Sequence, residues 1–233
     1  MEVLSSLFTV FCTLVLPLGL AVVLSVRKPH RWKPVLLGAG TFTVFQVLTR
    51  LPLLQLVLPG MPWFIILNAT QPLLAALFLG ATAGLFEEGG RYLVMRFLLK
   101  KERALGDAVA FGAGHGGIEA ILLAGINSLY ALATVLTGTG SVSPSLMLAG
   151  GVERISAMTL HVAWSIMVMK SVRQRKPIWL LIAFLLHTIV DTSVVAVPYF
   201  GMDVWALEGL LLLCAVSILV AALVTFRKGE AKI

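Results

Sequence analysis

The stretch Phe86-Glu87-Glu88-Gly89-Gly90-Arg91 places three charged side chains inside an apolar run that extends over residues 71–99. An isolated charge at bilayer depth costs at least about 2.5–3.5 kcal/mol, so charged residues inside a membrane span usually face the protein interior. Glu87 and Arg91 are four residues apart and share one face of a helix, while Glu88 points about 100° away. One interpretation is an ion pair that only fixes helix packing. Two adjacent carboxylates exceed what one arginine needs for charge balance, and this surplus favours a chemical role over a purely structural one.

The composition is that of a membrane protein. Of the 233 residues, 59% are apolar and only 12% are charged, whereas an ordinary soluble domain is about 25% charged. Apolar runs of about 20 residues are long enough to cross a bilayer. They predict an all-α polytopic protein, with seven transmembrane helices in one bundle that forms a single domain over residues 1–233. The predicted spans are 3–26, 34–57, 71–99, 104–129, 145–169, 178–197 and 204–226.

The basic residues predict the orientation of the chain. Lysine and arginine are concentrated in alternate loops and in the C-terminal tail, so the positive-inside rule places the N-terminus outside and the C-terminus in the cytoplasm. This asymmetry accounts for the net charge of +7, and no nucleic-acid partner is expected. The first span follows no basic residue and is predicted to be an N-out helix, not a signal peptide. The basic segments are 27–33, 100–103, 170–176 and the tail residues Arg227, Lys228 and Lys232, and the segments without lysine or arginine are 58–70, 137–144 and 198–203.

The fourth predicted span combines a histidine, an acid and several glycines. It contains Gly114-His115-Gly116-Gly117-Ile118-Glu119, in which His115 and Glu119 share one helix face. Glycines let neighbouring helices approach closely, as small residues do in membrane proteins. Because a histidine lies among them, we expect the glycines at 112–117 to leave clearance for a substrate.

Two further spans carry titratable residues at helical spacing. The fifth contains Glu153-Arg154 and His161, and the sixth contains His187 and Asp191 four residues apart. The last two residues therefore share one helix face. A lone histidine on an apolar helix is more often a packing residue than a ligand, so His161 alone is the weaker signal.

The second predicted span is less informative. It holds Gln46 and Arg50 in its outer half. Arg50 either extends its side chain to the outer interface or forms a buried ion pair with an acid such as Glu153.

Depth in the membrane joins these residues. Counting about 1.5 Å per residue from the basic residue at each cytoplasmic end puts one titratable side chain from each of four spans about 14–18 Å deep. This is near the midplane of a hydrocarbon core about 30 Å thick, and unrelated packing residues are not expected to converge in this way. The layer consists of Glu88, His115, His161 and His187, while Glu119, Glu153 and Asp191 lie about one turn or more closer to the outside, where they could support the layer or line a polar entrance.

These residue types favour hydrolysis of an amide bond. A carboxylate beside a neutral histidine can take a proton from water and return it to a leaving amine. A second histidine with a carboxyl or amide neighbour can donate hydrogen bonds to a developing oxyanion. The nucleophile motif Gly-x-Ser-x-Gly does not occur in the sequence, so this motif does not compete with the hydrolytic interpretation.

Three motifs follow one another along the chain: Glu87-Glu88-x-x-Arg91, Phe111-x-x-x-His115 and His187-x-x-x-Asp191. Together they resemble the glutamic-type intramembrane endopeptidases, a group that includes the CAAX prenyl endopeptidases, their bacteriocin-processing and immunity relatives, and the PrsW-type proteases. The two residues between the glutamates and the arginine are closer to the PrsW-type spacing. Within this group the chain looks most like the YhfC-type membrane peptidases, which share Gly-His-Gly-Gly-x-Glu and the segment from Glu153-Arg154 to His161.

The resemblance implies a role for each residue by position. Glu87 together with His115 would activate water, and His187 with Asp191 would support the oxyanion. Asp191 stands where CAAX-processing members carry asparagine; an ionised aspartate is a poor donor, so it must be protonated or instead orient His187. The substrate would be a membrane protein or a lipidated peptide in a prokaryotic plasma membrane. The implied catalytic residues are Glu87, Glu88, His115, His187 and Asp191, supported by Arg91, Glu119, Glu153 and His161.

Other functions stay open beside a metal-free protease, for which no cofactor is favoured. Zinc accepts nitrogen and oxygen ligands at a tetrahedral site, so a zinc metalloprotease is the first alternative, although His-Glu-x-x-His is absent. Cys12 and Cys214 lie in predicted spans and are expected to behave as small apolar side chains, without a disulfide or thiolate site. A proton-coupled transporter also uses buried acids and histidines, but no inverted repeat is visible. A noncatalytic receptor or chaperone is the last alternative. If a metal is bound, the predicted ligands are His115, His161, His187 and Glu87.

Overall fold

The protein is described by a computed structural model that covers residues 1–230, with only the backbone described at Pro198, Gly229 and Glu230. Lys232, which belongs to the predicted basic tail, lies outside the described residues. Within residues 1–230 the structure is helical and contains no strand, which confirms the predicted all-α fold. In this range seven helices are long and apolar enough to cross a membrane: α1 (Glu2–Arg27), α2 (Pro29–Gly60), α4 (Pro72–Phe97), α5 (Leu105–Thr137), α6 (Pro144–Gln174), α7 (Ile178–Ala196) and α8 (Val204–Lys228).

Several helix boundaries differ from the predicted ones. The segment 58–70 was expected to be a loop, yet it contains a short helix, α3 (Pro62–Thr70), which begins with a proline at the position where a helix needs no amide donor. Helix α5 continues eight residues past the predicted end at 129 and stops at Thr137, because Gly138 adopts the left-handed conformation (φ +68°) that terminates helices.

Three of the long helices contain π-helical segments. These are Phe11–Val15 in α1, Thr43–Arg50 and Leu53–Val57 in α2, and Ala120–Gly125 in α5. Such segments insert an extra residue into a turn and occur frequently at functional sites. Thr43–Arg50 carries the buried Gln46 and Arg50, and Ala120–Gly125 directly follows Glu119. The irregular backbone therefore coincides with polar residues inside the protein.

The described chain divides into two compact units. The first unit comprises residues 1–39, 104–166 and 204 onward, and therefore α1, α5, α8, the start of α2 and most of α6. The second unit comprises residues 40–103 and 167–203, and therefore α3, α4, α7, the rest of α2 and the end of α6. The organisation of the whole chain as a single domain stays a prediction.

In the second unit, glycines allow α4 to pack closely against α7. A Cβ atom on Gly80 would lie 2.7 Å from the carbonyl oxygen of Thr188, and one on Gly84 would lie 3.0 Å from that of Phe184. Gly80 and Gly84 are separated by three residues, which is the spacing that lets membrane helices approach closely. This contact is extensive, and it sets α7 against the helix that carries the two glutamates.

We expect Gly80→Leu to destabilise the second unit by about 1–3 kcal/mol, the usual cost of overpacking. The added side chain would meet the α7 backbone, which cannot move aside without separating the helices. The unfolding midpoint in mild detergent should fall, whereas Gly40→Leu should behave like the wild type because nothing lies within 4 Å of a Cβ at Gly40. Equal midpoints for the two variants would contradict the packing role of Gly80.

In the first unit, glycines of α5 are covered by neighbouring helices. A Cβ atom on Gly112 would lie 2.6 Å from the Cα of Val162, and one on Gly114 would lie 2.0 Å from the carbonyl oxygen of Val35. The expectation that these glycines leave clearance for a substrate is therefore wrong, because the backbones of α6 and α2 occupy that space. Instead, these glycines bring α6 against the face of α5 that carries His115.

Candidate active site

In the second unit, α4 and α7 bring four of the predicted residues into direct contact. One oxygen of Glu88, Oε1, lies 2.7 Å from Nδ1 of His187 and also pairs with Nη1 of Arg91. The second guanidinium nitrogen of Arg91, Nη2, lies 3.4 Å from Oε2 of Glu87. All four residues are at most 3% exposed. Glu88 and His187, for which the residue count predicts a common depth, are thus in direct contact.

Asp191 completes the surroundings of His187. Its Oδ2 lies 3.5 Å from Nε2 of His187, on the ring nitrogen opposite the one that contacts Glu88. Its side chain is 38% exposed, in contrast to the buried imidazole. Acidic groups on both ring nitrogens fix the orientation of the ring, so the geometry favours the orienting role of Asp191 over the oxyanion role.

The π-helical segment of α2 adds two polar residues to this cluster. Gln46 donates a hydrogen bond from Nε2 to Oε1 of Glu87 at 3.2 Å. Arg50 is 7% exposed, and it donates to Oγ1 of Thr82 at 3.2 Å and to the carbonyl oxygen of Leu79 at 2.7 Å. Of the two interpretations of Arg50, the extension to the outer interface is therefore wrong, because its guanidinium binds groups of α4 inside the protein.

The formal charges of this cluster nearly cancel. Arg50 is close enough to the carboxylates of Glu87 and Asp191 to interact electrostatically with both. The cluster then contains three carboxylates, two guanidinium groups and one imidazole, and it becomes neutral when it binds one proton. Since an uncompensated charge inside a membrane span is costly, the near balance of charges helps to explain how so many ionisable groups are buried together. Its charged members are Glu87, Glu88, Asp191, Arg50, Arg91 and, when protonated, His187.

An apolar groove of about 310 Å³ lies between α4 and α7 beside Glu88. Its walls include Gly89 of α4 and Leu181 and Phe184 of α7, and Glu88 is the charged residue that lines it. A Cβ atom on Gly89 would meet nothing within 4 Å, so the missing side chain helps to keep the groove open. The volume is at the lower end of the range of about 300–1,000 Å³ found for ligand sites.

The first unit brings the other two histidines of the layer together. The rings of His115 and His161 are 5.1 Å apart between centroids, and a nitrogen of one lies within 4.8 Å of a nitrogen of the other. His161 Nε2 lies 2.5 Å from Oε2 of Glu119. Both histidines are buried, and the two residues, for which the residue count predicts a common depth, lie side by side.

An ionic chain continues from this pair along α6. Nη1 of Arg154 lies 3.1 Å from Oε1 of Glu119, and the guanidinium also pairs with its neighbour Glu153. Glu208 of α8, which is 6% exposed, is electrostatically coupled to Glu153 and Arg154. Sequence reasoning missed Glu208, although one acid in an otherwise apolar span was a usable signal.

The donor set of the first unit supplies part of what a zinc site needs, because a catalytic zinc takes three protein ligands. Neutral imidazole nitrogens are common zinc ligands, and His115 and His161 offer two of them at short separation. Glu119 holds the ring of His161, as carboxylates commonly do for histidine ligands. Gly116 contributes to this arrangement, because a Cβ there would lie 3.0 Å from Cβ and Cδ2 of His161.

Comparisons with known proteins agree with the predicted resemblance. A model of the family described as YhfC intramembrane metalloprotease matches residues 12–148 and 132–211. A Bacillus subtilis (strain 168) protein named "Uncharacterized membrane protein YhfC" is 34% identical over 212 residues, which cover 77% of this chain and 79% of the relative. The YhfC resemblance is confirmed, whereas the glutamic and PrsW-type grouping is not, and the family description favours the metal-dependent alternative.

Proposed function

The chain belongs to the YhfC intramembrane metalloprotease family, and from this premise we propose that it hydrolyses a peptide bond within or beside a membrane segment of its substrate. The observation that carries the proposal is the buried contact between Glu88 and His187, closed by Arg91. Acids, a cation and an imidazole inside a membrane span are energetically costly, and such residues usually mark a functional site. Cleavage products that disappear when Glu87 is replaced would establish the activity.

The buried cluster of the second unit supplies the groups that this reaction needs. Glu87 accepts a proton from the attacking water while the water oxygen bonds to the scissile carbonyl carbon, and it returns the proton to the amine nitrogen as the carbon–nitrogen bond breaks. His187, whose Nδ1 contacts Glu88, donates a hydrogen bond from Nε2 to the oxyanion that develops on the carbonyl oxygen, in place of its 3.5 Å contact with Asp191. Arg91 keeps the two glutamates in place and balances one of their two charges.

We further propose that His115 and His161 bind a catalytic zinc ion. When bound, zinc acts as a Lewis acid that polarises a carbonyl group and makes water nucleophilic at neutral pH. Glu119 orients the ring of His161 for this task, and Arg154 in turn fixes the Glu119 carboxylate. The sequence also predicts Glu87 and His187 as metal ligands. Variants of these two residues are therefore included in the metal analysis together with those of His115 and His161.

The purified protein is expected to contain about one zinc ion per chain, and His115→Ala and His161→Ala should each lower that content. Metal analysis by mass spectrometry measures it directly, and the unfolding midpoint should drop on chelation in the wild type but not in these variants. His30→Ala is the matched control, since His30 is 57% exposed. Full activity in metal-free protein would exclude zinc.

A metal-free, glutamic-type protease is the second candidate. The observation that favours it is one buried cluster in the second unit. In this cluster Glu87 and Glu88 can accept protons, His187 can donate one, and Arg91 offsets negative charge. His115 would then assist in water activation, as the resemblance implies. The metal analysis separates the two candidates, because only this one predicts activity without zinc.

The proposed substrate is a membrane protein or a lipidated peptide in the lipid bilayer. The groove between α4 and α7 has an apolar lining and reaches Glu88, so an apolar substrate segment could approach this carboxylate from the lipid side. Leu85 and Leu181, which line the groove, are 61% and 49% exposed on the same helices. A prokaryotic plasma membrane and a cytoplasmic C-terminus are part of the proposal.

A further inference from the structure

Gln46 is a buried glutamine whose side chain has one hydrogen-bonding partner among the described residues, and that partner is Glu87. Its side chain is 6% exposed, and Nε2 donates to Oε1 of Glu87 at 3.2 Å. The amide oxygen Oε1 of Gln46 is buried and accepts no hydrogen bond within the described part of the chain. A buried acceptor without a donor is unfavourable for folding, so packing alone does not explain a glutamine at this position.

The backbone around Gln46 is shaped to present it to α4. Gln46 lies in the π-helical segment Thr43–Arg50, and π-helical turns are frequent at functional sites. Four residues further on, Arg50 also bonds to α4, so both side chains point the same way. Gly90 permits the approach of the two helices, because a Cβ there would lie 2.7 Å from ring atoms of Phe45.

The two oxygens of Glu87 are therefore held from two sides. Arg91 binds Oε2, and Gln46 binds Oε1. A carboxylate that is anchored at one oxygen can rotate about its terminal bond, whereas two anchors define the plane and the direction of the free lone pairs. Displacing a reacting group by about 1 Å can cost about 10²-fold in rate, so such a constraint matters for catalysis.

We propose that Gln46 is a positioning residue of the hydrolytic reaction, which sets the orientation of the Glu87 carboxylate through its amide N–H. The inference rests on the proposed function, since it assigns no activity of its own. A neutral donor suits this task better than a second cation. It fixes the carboxylate without adding a positive charge that would weaken Glu87 as a base.

The test is Gln46→Met, which has nearly the same length and can neither donate nor accept strongly. We expect kcat to fall about 10-fold, the equivalent of one lost hydrogen bond of about 1.4 kcal/mol, with an unchanged KM. The probe is a fluorogenic peptide that spans a cleavage site produced by the wild-type protein in membranes. Gln46→Glu, which sets a carboxylate against Glu87, should lose more activity than Gln46→Met.

Stability separates positioning from a structural role. Gln46→Met removes both a stabilising hydrogen bond to a charged group and the unfavourable burial of an unmatched oxygen, two effects of similar size. These changes offset one another, so the unfolding midpoint should stay close to that of the wild type. Gln55→Met is the matched control, because Gln55 is an exposed glutamine of the same helix, and it should change neither activity nor stability.

The kinetic constants and the unfolding midpoint of Gln46→Met decide whether Gln46 positions Glu87. A loss of kcat with unchanged KM and unchanged midpoint supports the assignment of Gln46. Wild-type kcat in Gln46→Met, a rise in KM alone, or a fall in midpoint that accounts for the lost activity would overturn it while leaving the proposed function standing. If the wild-type protein cleaves nothing that Glu87→Gln spares, the proposed function fails and this inference fails with it.

Discussion

Glu87→Gln is expected to lower the rate of peptide hydrolysis by about 10²–10⁴-fold, the usual contribution of a general acid or base. The amide has almost the same shape as the carboxylate but cannot take a proton from water. Insertion and abundance should be unchanged, because the substitution removes a charge from a buried site and leaves the side-chain volume nearly intact. The measurement compares new protein N-termini in membranes from cells with wild-type protein and cells with Glu87→Gln at matched abundance.

Termini that depend on Glu87 and map in or near membrane spans of other proteins would identify both the reaction and a substrate. The control is Glu102→Gln, in the basic segment between α4 and α5, which should give the wild-type set. Glu88→Gln, His115→Ala and His187→Ala are also expected to abolish cleavage. Activity in all four site variants would refute the site assignment, and identical termini in wild type and Glu87→Gln would favour a proton-coupled transporter or a noncatalytic role.

Much of the site follows from one-dimensional reasoning about depth. A residue count from the basic residue at one end of each span, predicted to be cytoplasmic, placed Glu88 and His187 at one level, and likewise His115 and His161. The structure places each pair in contact within its unit. The count works because a membrane helix rises by a fixed amount per residue and because charges at its end are held near the interface.

Other features could not be read from helical spacing. Gln46 reaches Glu87 through a π-helical segment, and a regular period of 3.6 residues does not describe such a backbone. The glycines of α5 were also ambiguous, since a missing side chain can leave space for a ligand or for another helix. Only the positions of Val35 and Val162 against them show that neighbouring helices use this space.

Arg91→Met is expected to cause the largest loss of stability of any substitution considered, about 3–5 kcal/mol, the cost of removing one partner from a buried ion pair. Arg91 is fully buried and binds the carboxylates of both Glu87 and Glu88. Methionine fills a similar volume but leaves two acids without their nearest cation. The unfolding midpoint during titration of a mild-detergent sample with SDS, followed by circular dichroism, measures the effect.

The cause can be isolated with two further variants. Arg96→Met removes an exposed arginine from the same helix and should change the midpoint little, since surface charges contribute about 0–1 kcal/mol. Arg91→Met combined with Glu88→Gln should be more stable than the sum of the single effects predicts, because the second change removes one of the unmatched charges. Strict additivity would show that Arg91 stabilises α4 by packing alone. The surplus of acids over arginine in this stretch would then need another cation to balance it, and Arg50, which is coupled to Glu87 and Asp191, is the nearest candidate on α2.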